Sequence, residues 1–215
     1  MRADRGTALA LALTTAVIVT TAASAHRRDE YLQAARLAVE PGRVELELDL
    51  TPGIAVSEAA IADLDRDRDG VLSADERRAY VGRALDAVVL ELDGRPLHVE
   101  PLSSAFPVLD AFRNGEGTIR IQAAAALSHQ ADGDHQLLFR NMDQRDGSVY
   151  LANALVPGSD RIVITAQRRD PAQRDLTIDY VFRPGPATSA STWLFGALTG
   201  VAVLAALLMR SSLIA

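Results

Sequence analysis

Val44-Glu45-Leu46-Glu47-Leu48-Asp49-Leu50 is the stretch that decides the fold class. Its four apolar residues alternate with three acidic residues, which is the period of a β-strand with one buried face and one face in water. The turn residues Glu40-Pro41-Gly42-Arg43 precede it, where proline fixes one φ angle and glycine allows the next to be positive. We therefore predict a hairpin between residues 31–39 and this strand.

Further strand-like runs follow along the chain, separated by turn residues. Asp93-Gly94 lies between two of these runs and is typical of a tight hairpin turn. The predicted strands cover residues 88–92, 97–100, 118–123, 136–140, 149–155, 161–167 and 176–182. Short strands with turn chemistry between them predict a mainly β fold, specifically an antiparallel, immunoglobulin-like β-sandwich.

One region interrupts the strand pattern. Pro52-Gly53 ends the second strand, and the apolar residues that follow recur at the spacing of one helical face. These residues are Val56, Ala60 and Leu64 before an acidic loop, and Val81, Ala84, Leu85 and Val88 after it. The sequence thus predicts a helix-loop-helix inserted into the sandwich at residues 54–88.

The acidic loop, residues 65–76, reads Asp-Arg-Asp-Arg-Asp-Gly-Val-Leu-Ser-Ala-Asp-Glu. Calcium binds six to eight hard oxygen atoms, and side chains at alternate positions of a tightly curled loop converge on one point. The predicted calcium ligands are the carboxylates of Asp65, Asp67, Asp69 and Glu76, the backbone carbonyl of Val71, and Ser73 through a water molecule. Gly70 permits the sharp bend. The pattern therefore predicts one Ca²⁺ site.

Two simpler interpretations of the loop remain open. Ser73 and Glu76 form an S-x-x-E capping box, which starts a helix without any metal. The three aspartates could also form a solvated acidic turn. Neither interpretation requires aspartate at three alternate positions followed by glycine and, at the twelfth position, glutamate, so we favour calcium.

The loop and its flanks resemble those of bacterial EF-hand domain proteins. The motifs at residues 26–32, 49–53 and 149–155 are similar to the extracytoplasmic front portion of HupE/UreJ-type membrane proteins. That resemblance spans most of residues 26–182. The chain lacks the multi-helix membrane domain of those proteins, so the resemblance implies an accessory or sensing module with a membrane-protein partner, and no permease activity.

The two ends of the chain are predicted to lie outside the folded domain. Residues 1–25 combine Arg2 and Arg5 with an apolar run and Ala23-Ser24-Ala25, as in a secretory signal peptide. Residues 192–209 are apolar and long enough to cross a lipid bilayer as a helix, and Arg210 follows at once. We predict a single-pass membrane protein with residues 26–183 on the periplasmic side, a linker at 184–191, and a cytoplasmic tail at 210–215.

Composition narrows the possible functions. The 22 basic residues are all arginine, and residues 26–191 contain 19 arginines against 27 acidic residues, a net charge of −8. Nucleic acid is excluded as a partner because its phosphates would be repelled. The chain has no cysteine, and it lacks GxSxG, HExxH and phosphate-loop motifs, so we expect no enzyme.

His26 carries the alternative function. After cleavage it would be the N-terminal residue, whose amine and imidazole together can chelate nickel or copper. His98, His129 or His135 could complete such a site. The alternative is therefore a periplasmic protein that handles a transition metal or assists a permease.

Overall fold

The computed structural model describes residues 29–127 and 130–183. Ten strands form two five-stranded sheets, so the mainly β prediction is confirmed. The strands are β1 (Tyr31–Glu40), β2 (Arg43–Pro52), β3 (Val88–Leu92), β4 (Arg95–Pro96), β5 (Val99–Ala105), β6 (Ile119–Ala126), β7 (Gly133–Asn141), β8 (Ser148–Ala154), β9 (Ile162–Arg169) and β10 (Asp175–Phe182). The first sheet has the order β5-β6-β2-β1-β8 and the second β4-β3-β7-β10-β9.

The alternating stretch at residues 44–50 forms the middle of β2, as predicted. Val44, Leu46, Leu48 and Leu50 are all buried, and the acidic residues between them are more exposed. The β1–β2 hairpin closes through Pro41-Gly42, where Gly42 has φ of +86°. Glycine adopts this left-handed conformation without the steric penalty of a side chain.

The buried faces of the two sheets contribute to one hydrophobic cluster. Leu46 and Ile121 come from the first sheet, and Phe139 and Ile178 come from the second. All four have at most 2% of their surface exposed. The core is mainly aliphatic, in agreement with the low aromatic content of 5%.

The prediction of antiparallel pairing throughout is wrong at one position. β8 lies parallel to β1, with Tyr31 opposite Ser148 and Leu37 opposite Ala154. Parallel neighbours cannot be joined by a short hairpin, and here the whole remainder of the fold between β1 and β8 forms the connection. The other pairings are antiparallel.

The predicted hairpin partner at residues 97–100 is also wrong in part. The Asp93-Gly94 turn is present, but only Arg95–Pro96 pairs with β3. The chain then leaves the second sheet, and Val99 begins β5 at the edge of the first sheet. Beyond this pair, the Leu97 N–H still donates to the Leu90 carbonyl at 2.8 Å, but Pro96 has no N–H to contribute to a longer ladder.

Three α-helices are present in the described residues. They are α1 (Ser57–Leu64), preceded by a short 3₁₀ turn at Ile54–Val56, α2 (Ala74–Asp86) and α3 (Leu109–Arg113). The first two confirm the predicted helices on either side of the acidic loop, except that Val88 begins β3 instead of extending α2. α3 was not predicted; it is short, and it buries Leu109 and Phe112.

No helix in the described part of the chain has the length and apolar character that crossing a membrane requires. The predicted signal peptide at 1–25, linker at 184–191, transmembrane segment at 192–209 and tail at 210–215 lie outside the described residues.

Candidate metal centre

The acidic loop is held at both ends by regular helix termini. At the C-terminus of α1, the Asp65 N–H donates to the Ile61 carbonyl at 2.8 Å. At the start of α2, Ser73 is the N-cap residue and its hydroxyl accepts from the Glu76 N–H at 3.2 Å. Ala60, Leu64, Val81 and Leu85 face the hydrophobic core. The packing of the two helices therefore fixes the ends of the loop.

Asp65 organises the first half of the loop. Its side chain is buried, and its two carboxylate oxygens accept from the Asp69 N–H at 3.2 Å and from the Gly70 N–H at 2.9 Å. Gly70 has φ of +84°, which only glycine adopts at little steric cost. Arg68 also has a positive φ of 62°. The loop is thus curled around the Asp65 carboxylate.

Glu76 closes the loop from the other side. One carboxylate oxygen, Oε1, accepts from the Arg66 N–H at 2.7 Å, and Oε2 accepts from the Ser73 N–H at 2.9 Å and the Ser73 hydroxyl at 2.8 Å. These hydrogen bonds, first those from Ser73, lower the pKa of Glu76 to about 2. The side chain is therefore a carboxylate at any physiological pH, which a metal ligand must be.

Three of the predicted ligands converge. Carboxylate oxygens of Asp65, Asp67 and Glu76 all lie within 4.8 Å of one another. The hydrogen bond from the Asp69 N–H lowers the pKa of Asp67, but desolvation and the negative charges of Asp69 and Glu76 outweigh it, so this pKa lies above its ordinary value. The loop therefore concentrates negative charge in a small space, and a cation would relieve the repulsion.

The remaining predicted site residues lie beside this group of three. Asp69 is not one of the three, and its Oδ1 accepts from the Val71 N–H at 2.8 Å. The Ser73 hydroxyl is bonded to Glu76. The side chain of Val71 points to solvent, as expected for a residue that would contribute only its backbone carbonyl.

The capping box predicted as a simpler interpretation is present, with both of its hydrogen bonds. Asp65 and Asp67 take no part in it, whereas Glu76 belongs to both the box and the converging group, since its Oε2 accepts from Ser73. The donor set consists of hard oxygen atoms, which suit Ca²⁺ better than a transition metal. The residues present therefore fit a calcium ion.

The histidines do not form a second cluster within the described residues. His98 is exposed, and its Nε2 lies 3.9 Å from Glu100. Both ring nitrogens of His135 are already hydrogen-bonded, Nδ1 to Asp93 and Nε2 to the Ala131 carbonyl, each at 2.7 Å. His26 and His129 lie outside the described residues.

Sequence reasoning did not find a polar cluster next to the acidic loop. The Asp63 carboxylate, at the end of α1, is paired with Arg83 of α2 at 3.1 Å and with Arg145 of the β7–β8 loop at 2.9 Å. The Arg145 guanidinium lies over the rings of both Tyr31 and Tyr80. These residues are far apart in the chain, and no local pattern could have indicated that they meet.

No family model, curated protein or solved structure matches the chain. The resemblance to bacterial EF-hand proteins and to the front portion of HupE/UreJ-type proteins therefore stays a prediction.

Proposed function

We propose that this chain is a non-catalytic calcium-binding protein whose single site is the loop from Asp65 to Glu76. The observation that carries the proposal is the convergence of Asp65, Asp67 and Glu76 oxygens within 4.8 Å of one another, between two helices whose inner faces are buried. In this interpretation the helix-loop-helix is an EF-hand, and the two sheets that carry it form an immunoglobulin-like sandwich. Asp69, the Val71 carbonyl and Ser73 would complete the coordination.

Calcium would supply positive charge at the centre of the loop. Its role in this proposal is structural and not catalytic. The three carboxylates that repel one another would then stabilise the curled loop. Because α1 and α2 are joined by this loop, the ion would also hold the two helices together. We therefore infer a structural clip, or an accessory module for a membrane-protein partner.

The packing of the helices supports a clip more than a calmodulin-like switch. A sensor opens to expose a wide apolar groove, often rich in methionine. Here the buried faces of α1 and α2 are part of the single core of the domain, and Arg83 of α2 is bonded to Asp63 of α1. Opening the pair would break this ion pair and expose the core itself.

The location in the cell follows from the predicted ends of the chain. Export by residues 1–25 and anchoring of residues 192–209 in a lipid bilayer would place the loop outside the cytoplasm. Calcium concentrations there suit a weak site, and a lone loop has no second loop to pair with. We expect a dissociation constant on the order of 10⁻⁴ to 10⁻³ M.

Isothermal titration calorimetry of the full-length chain tests the proposal. Calcium should produce a saturable heat with one site, and Glu76→Gln should weaken binding at least tenfold because it removes a charged ligand. Asp75→Asn is the matched control, since Asp75 is the neighbouring acid, is 88% exposed at its side chain, and belongs to no predicted coordination position. The absence of heat at millimolar calcium, or equal losses in the two variants, would overturn the proposal.

A further inference from the structure

A pocket of about 580 Å³ lies where the helix-loop-helix meets the sheets. The 3₁₀ turn contributes Val56, α1 contributes Ala59 and Ala60, and Ala87 follows α2, so one wall is apolar and made of short side chains. Tyr31 of β1 and residues of the β7–β8 loop also line the pocket. The volume falls within the range of pockets that hold small organic molecules.

Six charged residues line the pocket, three arginines and three aspartates, so it is formally neutral. The carboxylates, however, are largely engaged. Asp63 is paired with Arg83 and Arg145, and Asp143 accepts from the Arg145 Nε at 2.8 Å. The third, Asp146, is exposed to solvent. Of the three carboxylates, Asp63 and Asp143 are therefore already engaged by arginines.

Two of the arginines, in contrast, have side-chain N–H groups that are not used in hydrogen bonds to the aspartates. A guanidinium carries five N–H groups. Within residues 29–127 and 130–183, the hydrogen bonds of Arg83 come from Nη2 alone, both of them to Asp63. Arg66 reaches the same carboxylate only at 3.8 Å, and 63% of its side chain is exposed. Within the described residues, the other side-chain N–H groups of Arg66 and Arg83 make no hydrogen bond to a carboxylate.

The third arginine of the pocket, Arg145, is held in a fixed position by its neighbours. Arg145 lies 5.4 Å from the ring centroid of Tyr31 and 5.6 Å from that of Tyr80, and 28% of its side chain is exposed. Burial disfavours the charged form, but the two tyrosines and Asp143 outweigh it and raise the pKa of Arg145. The guanidinium is thus held between two aromatic rings and the carboxylates of Asp63 and Asp143.

We propose that this pocket binds a small organic carboxylate, whose anionic end is held by Arg66 and Arg83 and whose compact apolar body packs on Val56, Ala59, Ala60 and Ala87. Arginine suits this role because its planar fork matches the two oxygens of a carboxylate. The apolar wall distinguishes such a ligand from inorganic phosphate, which shares the anionic chemistry but has no apolar body. Binding does not require calcium.

Ligand-observed NMR on the full-length chain tests this proposal, with butyrate as the probe. The buffer should be freed of metal on a resin, because a carboxylate chelator would compete for the pocket. Butyrate should bind saturably, whereas butanamide, which has the same body without the charge, should bind at least tenfold more weakly. Binding of butanamide equal to that of butyrate would overturn the assignment, and so would phosphate displacing butyrate at equal concentration.

Arg66→Gln is the variant of choice, because the Arg66 side chain is exposed and makes one long contact within the described residues. The bond from its backbone N–H to Glu76 is kept in the variant, so the fold should tolerate the change. It should weaken butyrate binding about tenfold, the usual effect of losing one charge-assisted hydrogen bond. Arg78→Gln is the matched control, since Arg78 lies on α2, its side chain is 76% exposed, and its one ion pair in the described part of the chain is with Asp75. Unchanged binding in Arg66→Gln, or the same loss in Arg78→Gln, would contradict the proposal.

Discussion

The hydroxyl groups of Tyr31 and Tyr80 lie 2.7 Å apart in the interior of the protein. Tyr31 belongs to β1 and Tyr80 to α2, so this hydrogen bond joins the first sheet to the helix-loop-helix. Burial raises the pKa of both hydroxyls, most strongly that of Tyr31. The pair therefore stays protonated, with one hydroxyl donating to the other.

Tyr80→Phe should destabilise the fold by about 1–3 kcal/mol, because it leaves the Tyr31 hydroxyl buried without its partner. Tyr31→Phe should have a similar effect for the same reason. In the double variant no hydroxyl is left unsatisfied, so it should be less destabilised than the sum of the single variants. Urea unfolding of the four proteins measures this coupling, and additive losses would show that the hydrogen bond contributes nothing of its own.

Calcium should raise the melting temperature of the protein more than nickel or copper does. The converging ligands are carboxylates, which favour Ca²⁺, whereas imidazoles favour the transition metals. Differential scanning calorimetry with each metal at equal concentration makes the comparison. If copper stabilises more, and His26→Ala in the mature chain removes that effect, the alternative based on His26 replaces the calcium proposal.

Calcium should protect residues 54–88 from hydrogen exchange and leave the two sheets almost unchanged. The reason is that the ion would join α1 to α2, while the sheets are stabilised by a hydrophobic cluster that needs no metal. At ten times its dissociation constant, calcium adds about 1.4 kcal/mol of stability through mass action. Hydrogen exchange followed by mass spectrometry, with and without calcium, locates the change. Protection that spreads over β2 and β6 as well, or binding of a hydrophobic dye on calcium addition, argues against a clip.

The stability of the protein should fall as the pH rises through the pKa of His135. Both ring nitrogens face acceptors, the Asp93 carboxylate and the Ala131 carbonyl, so both must donate and the ring must be protonated. Burial lowers the pKa of His135, but these two hydrogen bonds and the charges of Asp93 and Asp134 outweigh it, so the pKa lies above 6.5. A raised pKa gives stability that is complete below 6.5 and is lost above the folded-state value.

The groups around His135 do not reverse this expectation. Asp93 has a lowered pKa: burial raises it, but the hydrogen bonds from Gln136 and His135 outweigh that effect. Tyr180, whose ring lies 5.5 Å from the imidazole, and the nearby Asp179 do not titrate between pH 6 and 9, because the pKa of Tyr180 is raised to about 12 and that of Asp179 is lowered. Urea unfolding at a series of pH values should show the loss, and His135→Gln should remove that part of the pH dependence.

The sequence by itself determined which residues are buried along β2 and where the acidic loop lies. The alternation from Val44 to Leu50 is a local pattern, because side chains of a strand point to opposite faces by geometry alone. The acidic loop is likewise recognised from residues that are close together in the sequence. Its predicted ligands lie within twelve consecutive residues, so the spacing alone predicted that Asp65, Asp67, Asp69 and Glu76 would converge. Asp69 is the one of these four that lies outside the converging group.

Only the tertiary structure decided which strands pair and what surrounds the loop. The parallel pairing of β1 with β8, the move of the chain from β4 to the other sheet at β5, and the burial of α3 depend on contacts between distant segments. Local periodicity indicates that one face of a strand or helix is buried, but it does not indicate which other element packs against that face. For the same reason the Tyr31–Tyr80 hydrogen bond and the pocket beside it could not be predicted, since their residues meet only after the sheets and helices have packed.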